Sequence, residues 1–361
     1  MRKAIPFVAA ASALFAVAPA FGQSTVTIYG VVDAAVRVTD FKRAGVGNLQ
    51  SLDSGHRNGS RWGLRGSEDL GDGLKAIFQL EQGFSLDTGL LGQGGRGFGR
   101  QAYVGLDTPY GTVAFGRIAS FHGGAFDMFG EIDPFYSGFG ILTYQSTFAE
   151  GGGLRTDNAL MYRTPRLGGF QAGVLHSVHT DGAEPAGSGT RTKFTHVGAV
   201  YRDGNLHVAA TASVAKFPDA SNFKDQKHFY AGAAYDFKWI KLHAGYGTET
   251  AVRTALISPV GATAEGTDAK AWFLGATAPL GNGKLRVGLQ KRDGKQQTIG
   301  TTAFDADRTV YGAAYEYSLS RRSLVHVSLG RSKGSGTLAP TRAATDFANR
   351  TELGLGVTHI F

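Results

Sequence analysis

The chain has 361 residues, among them 53 glycines, 10 prolines and no cysteine, and a formal net charge of +8. Without cysteine there is no disulfide-stapled module and no thiolate metal site, while many glycines and few prolines suit a large sheet with frequent turns and bends. Beyond the first residues no run of eighteen apolar positions occurs, which excludes a membrane-spanning helix there; a mean hydropathy of −0.12 leaves room for an apolar outside averaged with a polar inside.

At the start, Arg2 and Lys3 precede an apolar run from Ala4 to Phe21 that is rich in alanine and interrupted by Pro6 and Pro19. Small residues and Gln23-Ser24 follow, so the layout predicts a secretory leader over 1–22, cleaved after Ala20-Phe-Gly22, and a mature chain of 23–361. Losing Arg2 and Lys3 leaves 35 basic against 29 acidic residues, a net charge of +6. That basic bias acquires meaning only from where the charges lie.

From Thr25 onward, stretches of about ten residues alternate apolar and polar side chains, the length a tilted strand needs to cross a bilayer. In the first, Val26, Ile28, Val32, Ala34, Val36 and Val38 alternate with Thr25, Thr27, Asp33 and Arg37. Leu74, Ala76, Phe78, Leu80 and Phe84 alternate with Lys75, Gln79 and Glu81. Leu206 to Val214 sets apolar positions against His207, Thr211 and Ser213, and Lys284 to Arg292 sets Leu285, Val287 and Leu289 against Lys284, Arg286, Gln290 and Arg292. Each such strand offers one face to lipid and the other to water.

Tight turns are expected at 69–73, 107–111, 165–168, 202–205, 238–240, 279–283 and 318–321, most of them holding Gly, Asn, Asp or Pro. Longer polar loops are expected near 39–56, 85–98, 118–156, 180–192, 218–225, 250–267, 295–304 and 333–348. Seven turns and eight loops join sixteen strands, with both ends of the mature chain on the rim of the short turns. Aromatics at the ends of apolar faces, Phe170, Phe237, Trp239, Tyr317 and Phe361, suit the headgroup level of a membrane, and the apolar faces are too rich in Ala and Gly for a sandwich core. The expected fold is therefore all-β, a transmembrane antiparallel barrel with short periplasmic turns and long extracellular loops.

Several runs are specific: Val26-Thr-Ile-Tyr-Gly30, Ser60-Arg-Trp-Gly-Leu-Arg-Gly-Ser-Glu-Asp-Leu-Gly71, Gly99-Arg-Gln-Ala-Tyr-Val-Gly-Leu106, Tyr110-Gly-Thr-Val-Ala-Phe-Gly-Arg117 and Thr358-His-Ile-Phe361. On these runs the whole mature chain resembles the general porins of the Gram-negative outer membrane, in the subfamily ending in His-x-Phe. The resemblance implies a sixteen-stranded homotrimeric barrel, reached by Sec export, embedded in outer-membrane lipid and lipopolysaccharide, and passing small hydrophilic solutes and ions. It implies that Phe361, with His359 at the third position from the end, is the signal read by the barrel-assembly machinery. It also implies that the third loop folds into the pore, where its acids face arginines on the wall.

The long loop over 118–156 supplies Asp127, Glu131 and Asp133, with Glu150 nearby; the matching wall residues are Arg61, Arg117 and Arg163. Alternation independently sends Arg61, Arg65 and Arg163 to the wet face, and Lys75, Arg286 and Arg292 as well. Arg117 would point to lipid after Val113 and Phe115 unless a bend at Gly116 turns it inward. A wall of cations predicts a preference for anions in a passive diffusion channel, and a channel selective for an anionic or small polar metabolite is the alternative.

An outer-membrane barrel enzyme would need a nucleophile and base, or paired acids, at one place. The histidines, including His122, His176, His179, His196, His207 and His243, have no spacing that forms a triad or a metal set. Gly92-Gln-Gly-Gly-Arg-Gly97 lacks the strand-to-helix context of a phosphate loop, and no recognition helix or basic cluster points to nucleic acid. No enzyme activity, cofactor or metal is expected.

Overall fold

The computed structural model describes residues 24–42, 47–122, 131–136, 138–148, 155–184, 190–252, 266–294, 297–299, 302–304, 307–334 and 349–361. The wall starts with β1 (Thr25–Phe41), β2 (Leu49–Ser54), β3 (Arg61–Gly71), β4 (Leu74–Gly83), β5 (Gln101–Thr108), β6 (Gly111–Ala119), β7 (Arg155–Arg163) and β8 (Phe170–Ser177). It continues through β9 (Lys193–Asp203), β10 (Leu206–Lys216), β11 (Gln226–Asp236), β12 (Lys241–Val252), β13 (Thr267–Leu280) and β14 (Gly283–Gly294). A separate hairpin, β15 (Gln297–Ile299) with β16 (Thr302–Phe304), precedes β17 (Arg308–Ser318), β18 (Ser323–Lys333) and β19 (Arg350–Ile360). β2 and β3 are two halves of one crossing, so the wall has sixteen crossings, all antiparallel. β1 pairs with β19 from Val31↔Ile360 to Phe41↔Arg350 and thereby closes the barrel.

Closure follows from the alternation. The ladder joins Val36, Leu355, Val327, Tyr315 and Leu285 into one row across five neighbouring strands, and all of them are exposed on the outside or nearly so. Asp33, Gln290, Glu352 and Thr358, on the opposite parity, are buried inside. Shifting any strand by one residue would exchange these sets and put charges into lipid, at about 2–4 kcal/mol each near the midplane for Arg or Lys. All seven expected tight turns are present, and the hairpin Asp72-Gly73 has positive φ at both residues, as a two-residue turn between twisted strands requires. Phe170, Phe237, Trp239, Tyr317 and Phe361 are all exposed.

The first loop is shorter than expected. β1 runs on to Phe41, and β2 pairs with it from Thr39↔Leu49 to Ala34↔Ser54, inside the 39–56 segment read as loop. Thr39, Asp40, Gln50, Ser51 and Asp53 are polar on both faces, so period-two hydropathy vanishes once the strand rises above the apolar band.

The third loop forms an inner layer. Its described part passes His243 on β12, Pro134 lies against Gly275 on β13, and Phe135 against Gly288 on β14. Beyond that, Gly138 meets the backbone of Arg57, in the kink between β2 and β3. Returning, Ile141 lies against Gly330 on β18 and Leu142 against Gly312 on β17, and Phe148 reaches Tyr230 and Phe273. Phe121, Ile132, Tyr144 and Phe148 build an apolar core with Met161, Leu175, Phe194 and Tyr230. A Cβ on Gly275 or Gly288 would collide with Pro134 or Phe135, so wall glycines make the bed in which the loop lies.

Candidate pore constriction

The loop is held by its backbone. Arg286 Nη1 donates to Pro134 O at 2.7 Å, Arg292 Nη1 to Thr147 O at 2.8 Å, Arg308 Nη1 to Ser146 O at 3.0 Å and His243 Nδ1 to Ile132 O at 2.9 Å. The amides of Phe139 and Gly140 donate to His56 O at 2.7 and 3.2 Å, and Ile141 N–H donates to Glu352 at 3.1 Å. A buried loop must satisfy its peptide groups, and wall side chains do so here. Arg286 and Arg292 are thus not the solute-facing cations that alternation suggested. Arg286 pairs with Glu316 at 3.0 Å and Arg292 with Glu249, and both then clamp the loop. Hydropathy parity reports which face a side chain takes, not what a distant loop puts in front of it.

The described acids of the loop do not converge on the expected arginines. Asp133 is 1 % exposed and accepts the amides of Phe135 at 3.0 Å and Tyr144 at 3.2 Å, tying the two limbs of the loop together. Glu131 is accessible, with 41 % of its side chain exposed, and lies 3.5 Å from both Arg202 on β9 and His207 on β10, away from Arg61. Asp127 and Glu150 lie outside the described residues.

The wall from β3 to β7 carries a further group of arginines. Arg100 Nε lies 2.7 Å and Arg61 Nε 3.5 Å from the carboxylate of Glu81, which also accepts the Tyr29 hydroxyl at 2.9 Å. Gln79 donates to Tyr29 at 2.5 Å and accepts from Tyr103 at 2.9 Å, so a continuous polar chain crosses three strands. Arg65 sits 5.2 Å over the Tyr29 ring and is exposed, as is Lys75, and neither forms an ion pair among the described residues. Arg163 is half-buried on β7 opposite Thr112, whose hydroxyl donates to Asp107 at 2.6 Å. Tyr136 of the third loop lies near Arg61. Arg61, Arg65 and Arg163 therefore share one wall with Lys75.

Arg117 stands apart. The ladder from Leu106↔Val113 through Val104↔Phe115 to Ala102↔Arg117 is unbroken, so Arg117 keeps the outward parity of Phe115, and Gly116 does not turn it inward. The irregularity lies on β7, where Asp157 and Asn158 together oppose Arg117. Arg117 pairs with Asp157 and donates to Gly99 O at 2.8 Å, and Arg96 joins the same carboxylate at 2.7 Å. This escape from lipid comes from a bulge and a neighbouring loop that hydropathy does not reveal.

At the seam, Phe361 N–H donates to Gly30 O at 3.1 Å and Gly30 N–H to Phe361 O at 3.0 Å, with the Phe361 ring over Gly30. His359 Nδ1 lies 2.8 Å from Ser323 Oγ. Tyr29, Tyr103 and Arg100 are residues that the sequence does not single out, whereas alternation already puts Glu81 on the wet face. No group of three or more His, Asp or Glu side chains able to hold a metal ion occurs among the described residues.

Residues 8–337 match the model of the family described as Gram-negative porin. An outer membrane porin protein of Bordetella pertussis is 32% identical over 94% of this chain and 95% of its own length. Outer membrane porin protein 32 of Delftia acidovorans is 29% identical, covering 98% of each chain. Among solved structures, an anion-selective porin from Comamonas acidovorans superposes with a TM-score of 0.75 at 24% identity, over 94% of this chain and 100% of that one. With a closed sixteen-crossing wall, an inward third loop and a family match over nearly its whole length, the chain belongs to the Gram-negative porins, barrels integral to the outer membrane.

Proposed function

We propose that the protein forms a water-filled channel for passive diffusion of small hydrophilic solutes and ions, with a preference for anions. One observation carries the anion preference: the third loop lines the barrel from β8 round to the kink before β3, and the remaining wall presents Arg61, Arg65, Lys75, Arg100 and Arg163 against Asp69, Glu81 and Asp107. Two of those cations, Arg65 and Lys75, are exposed without an ion pair among the described residues. Their field acts over a screening length of about 8 Å at physiological salt, so selectivity is set at the narrow passage rather than at the mouths. The solved neighbour named as anion-selective supports the same reading. The porin family and this lumen speak for a channel and not an enzyme.

Reversal potential across a salt gradient tests the preference, and a cation-selective potential defeats it. The tyrosine and glutamine chain beside Arg65 favours a second reading, a docking track for one class of polar anion. Saturable block of single-channel current by that class, against none by other solutes, supports this reading. We further infer a homotrimer in lipid and lipopolysaccharide with Phe361 as the signal to the assembly machinery; a monomer in mild detergent counts against the trimer.

A further inference from the structure

His122 of the third loop, His196 of β9 and His228 of β11 come together although 74 and 32 positions separate them along the chain. All three are buried, and the rings of His122 and His196 lie 4.3 Å apart between centroids. Tyr230 packs against both His122, at 4.7 Å, and His228, at 6.0 Å. His122 Nδ1 meets Thr211 Oγ1 at 2.8 Å, and His196 Nδ1 accepts the amide of Phe121 at 3.4 Å. Nε2 of His122, Nε2 of His196 and both nitrogens of His228 have no hydrogen-bond partner among the described residues. Phe121, Phe148 and Phe194 complete an apolar setting.

Other titratable or charged groups face the cluster from every packed element: Tyr144 from the loop, Tyr230 from β11, Glu249 from β12 and Arg292 from β14. The one carboxylate there among the described residues, Glu249, is already taken by Arg292 and by the Tyr230 hydroxyl at 2.6 Å. Among the described residues, a proton on the cluster therefore finds no free counter-charge, only further rings and a guanidinium. The remaining buried histidines differ: His56 Nε2 lies 2.8 Å from Ser328 Oγ, His326 3.3 Å from Asp33, His207 3.5 Å from Glu131, and His243 is bonded at both nitrogens.

We propose that His122, His196 and His228 form an acid-sensitive latch seating the third loop, and that their protonation frees this part of the loop from β9–β11 into the lumen and lowers conductance. The regulation rests on the channel reading above. Burial, with the neighbouring His196 and His228 rings, holds His122 well below its ordinary pKa of 6.5. A ring released to water regains that ordinary value, so the released state binds more protons. Seating is therefore complete above pH 6.5 and weakens as pH falls below it, by up to about tenfold per pH unit for each coupled ring.

Single-channel recording of the full-length protein in planar bilayers, from neutral pH down to about pH 4.5, reads the latch. Wild type should close on acidification more steeply than one proton per event. H122N/H196Q/H228Q should stay open, and H326Q should close like wild type. Closure of the triple variant at the wild-type midpoint, or no closure of wild type, overturns the latch. Should the triple variant fail to assemble, H228Q alone should shift the midpoint. Carbon-13 imidazole NMR of wild type provides a measure independent of current: three rings staying neutral below the ordinary range support the latch, and independent titration near 6.5 overturns it. Absence of conductance at neutral pH defeats the channel reading, while the NMR titration still decides the latch.

Discussion

Arg292 donates to the carbonyl of Thr147 across 2.8 Å while ion-paired to Glu249, so one wall guanidinium holds the third loop and neutralises a buried carboxylate. Replacing it by methionine removes the cation from Glu249 and the donor from the carbonyl. Arg292→Met should lower unfolding stability by about 3–5 kcal/mol, the usual cost of orphaning one partner of a buried pair, and should raise open-channel current noise. Denaturant unfolding in detergent reads the first effect and bilayer recording the second. A variant as stable and quiet as wild type would show that Arg292 is not a clamp.

Selectivity should depend on different cations. Arg65→Ala with Lys75→Ala removes two exposed charges and should move the reversal potential toward zero, with little change in stability because neither residue is ion-paired among the described residues. Arg117→Ala should leave the reversal potential in place, because its partner is Asp157 and its parity is outward. An equal loss of selectivity in both variants would contradict this division of labour.

The wall glycines beneath the loop predict a steric effect. In Gly288→Val the added side chain meets Phe135, and in Gly275→Val it meets Pro134. Each should push the loop toward the open lumen, costing about 1–3 kcal/mol from overpacking and lowering conductance. Unchanged conductance in both would mean that the loop yields elsewhere.

Gly30 and Phe361 make the corresponding test at the seam. A side chain at Gly30 meets the Phe361 ring, so Gly30→Val should lower the yield of folded barrel on refolding, seen as loss of the heat-modifiable band on semi-native gels. Phe361→Ala in the same background relieves the clash and should restore part of that yield. Failure of the second change to help would place the defect outside this contact.

Much of the barrel is legible in the sequence because lipid and water impose a period of two on every crossing. Asp33, Arg37, Arg61, Arg65, Lys75, Glu81 and Arg163 all lie on the face that alternation assigned to them, and the Asp72-Gly73 turn follows from local backbone preference. The loop was legible by length alone. Its acids were not, since Asp133 serves backbone amides of the loop itself, an arrangement that depends on the two limbs lying side by side.

By itself the sequence determined the number of crossings, the face each residue takes and which loop is exceptional, because these depend on local hydropathy and turn chemistry. Only the tertiary structure decided that Arg286 and Arg292 hold the loop, and that His122, His196 and His228 meet. Those outcomes join residues far apart in the chain across the inside of a closed barrel, where partners are chosen by the path of the third loop and not by spacing along the chain.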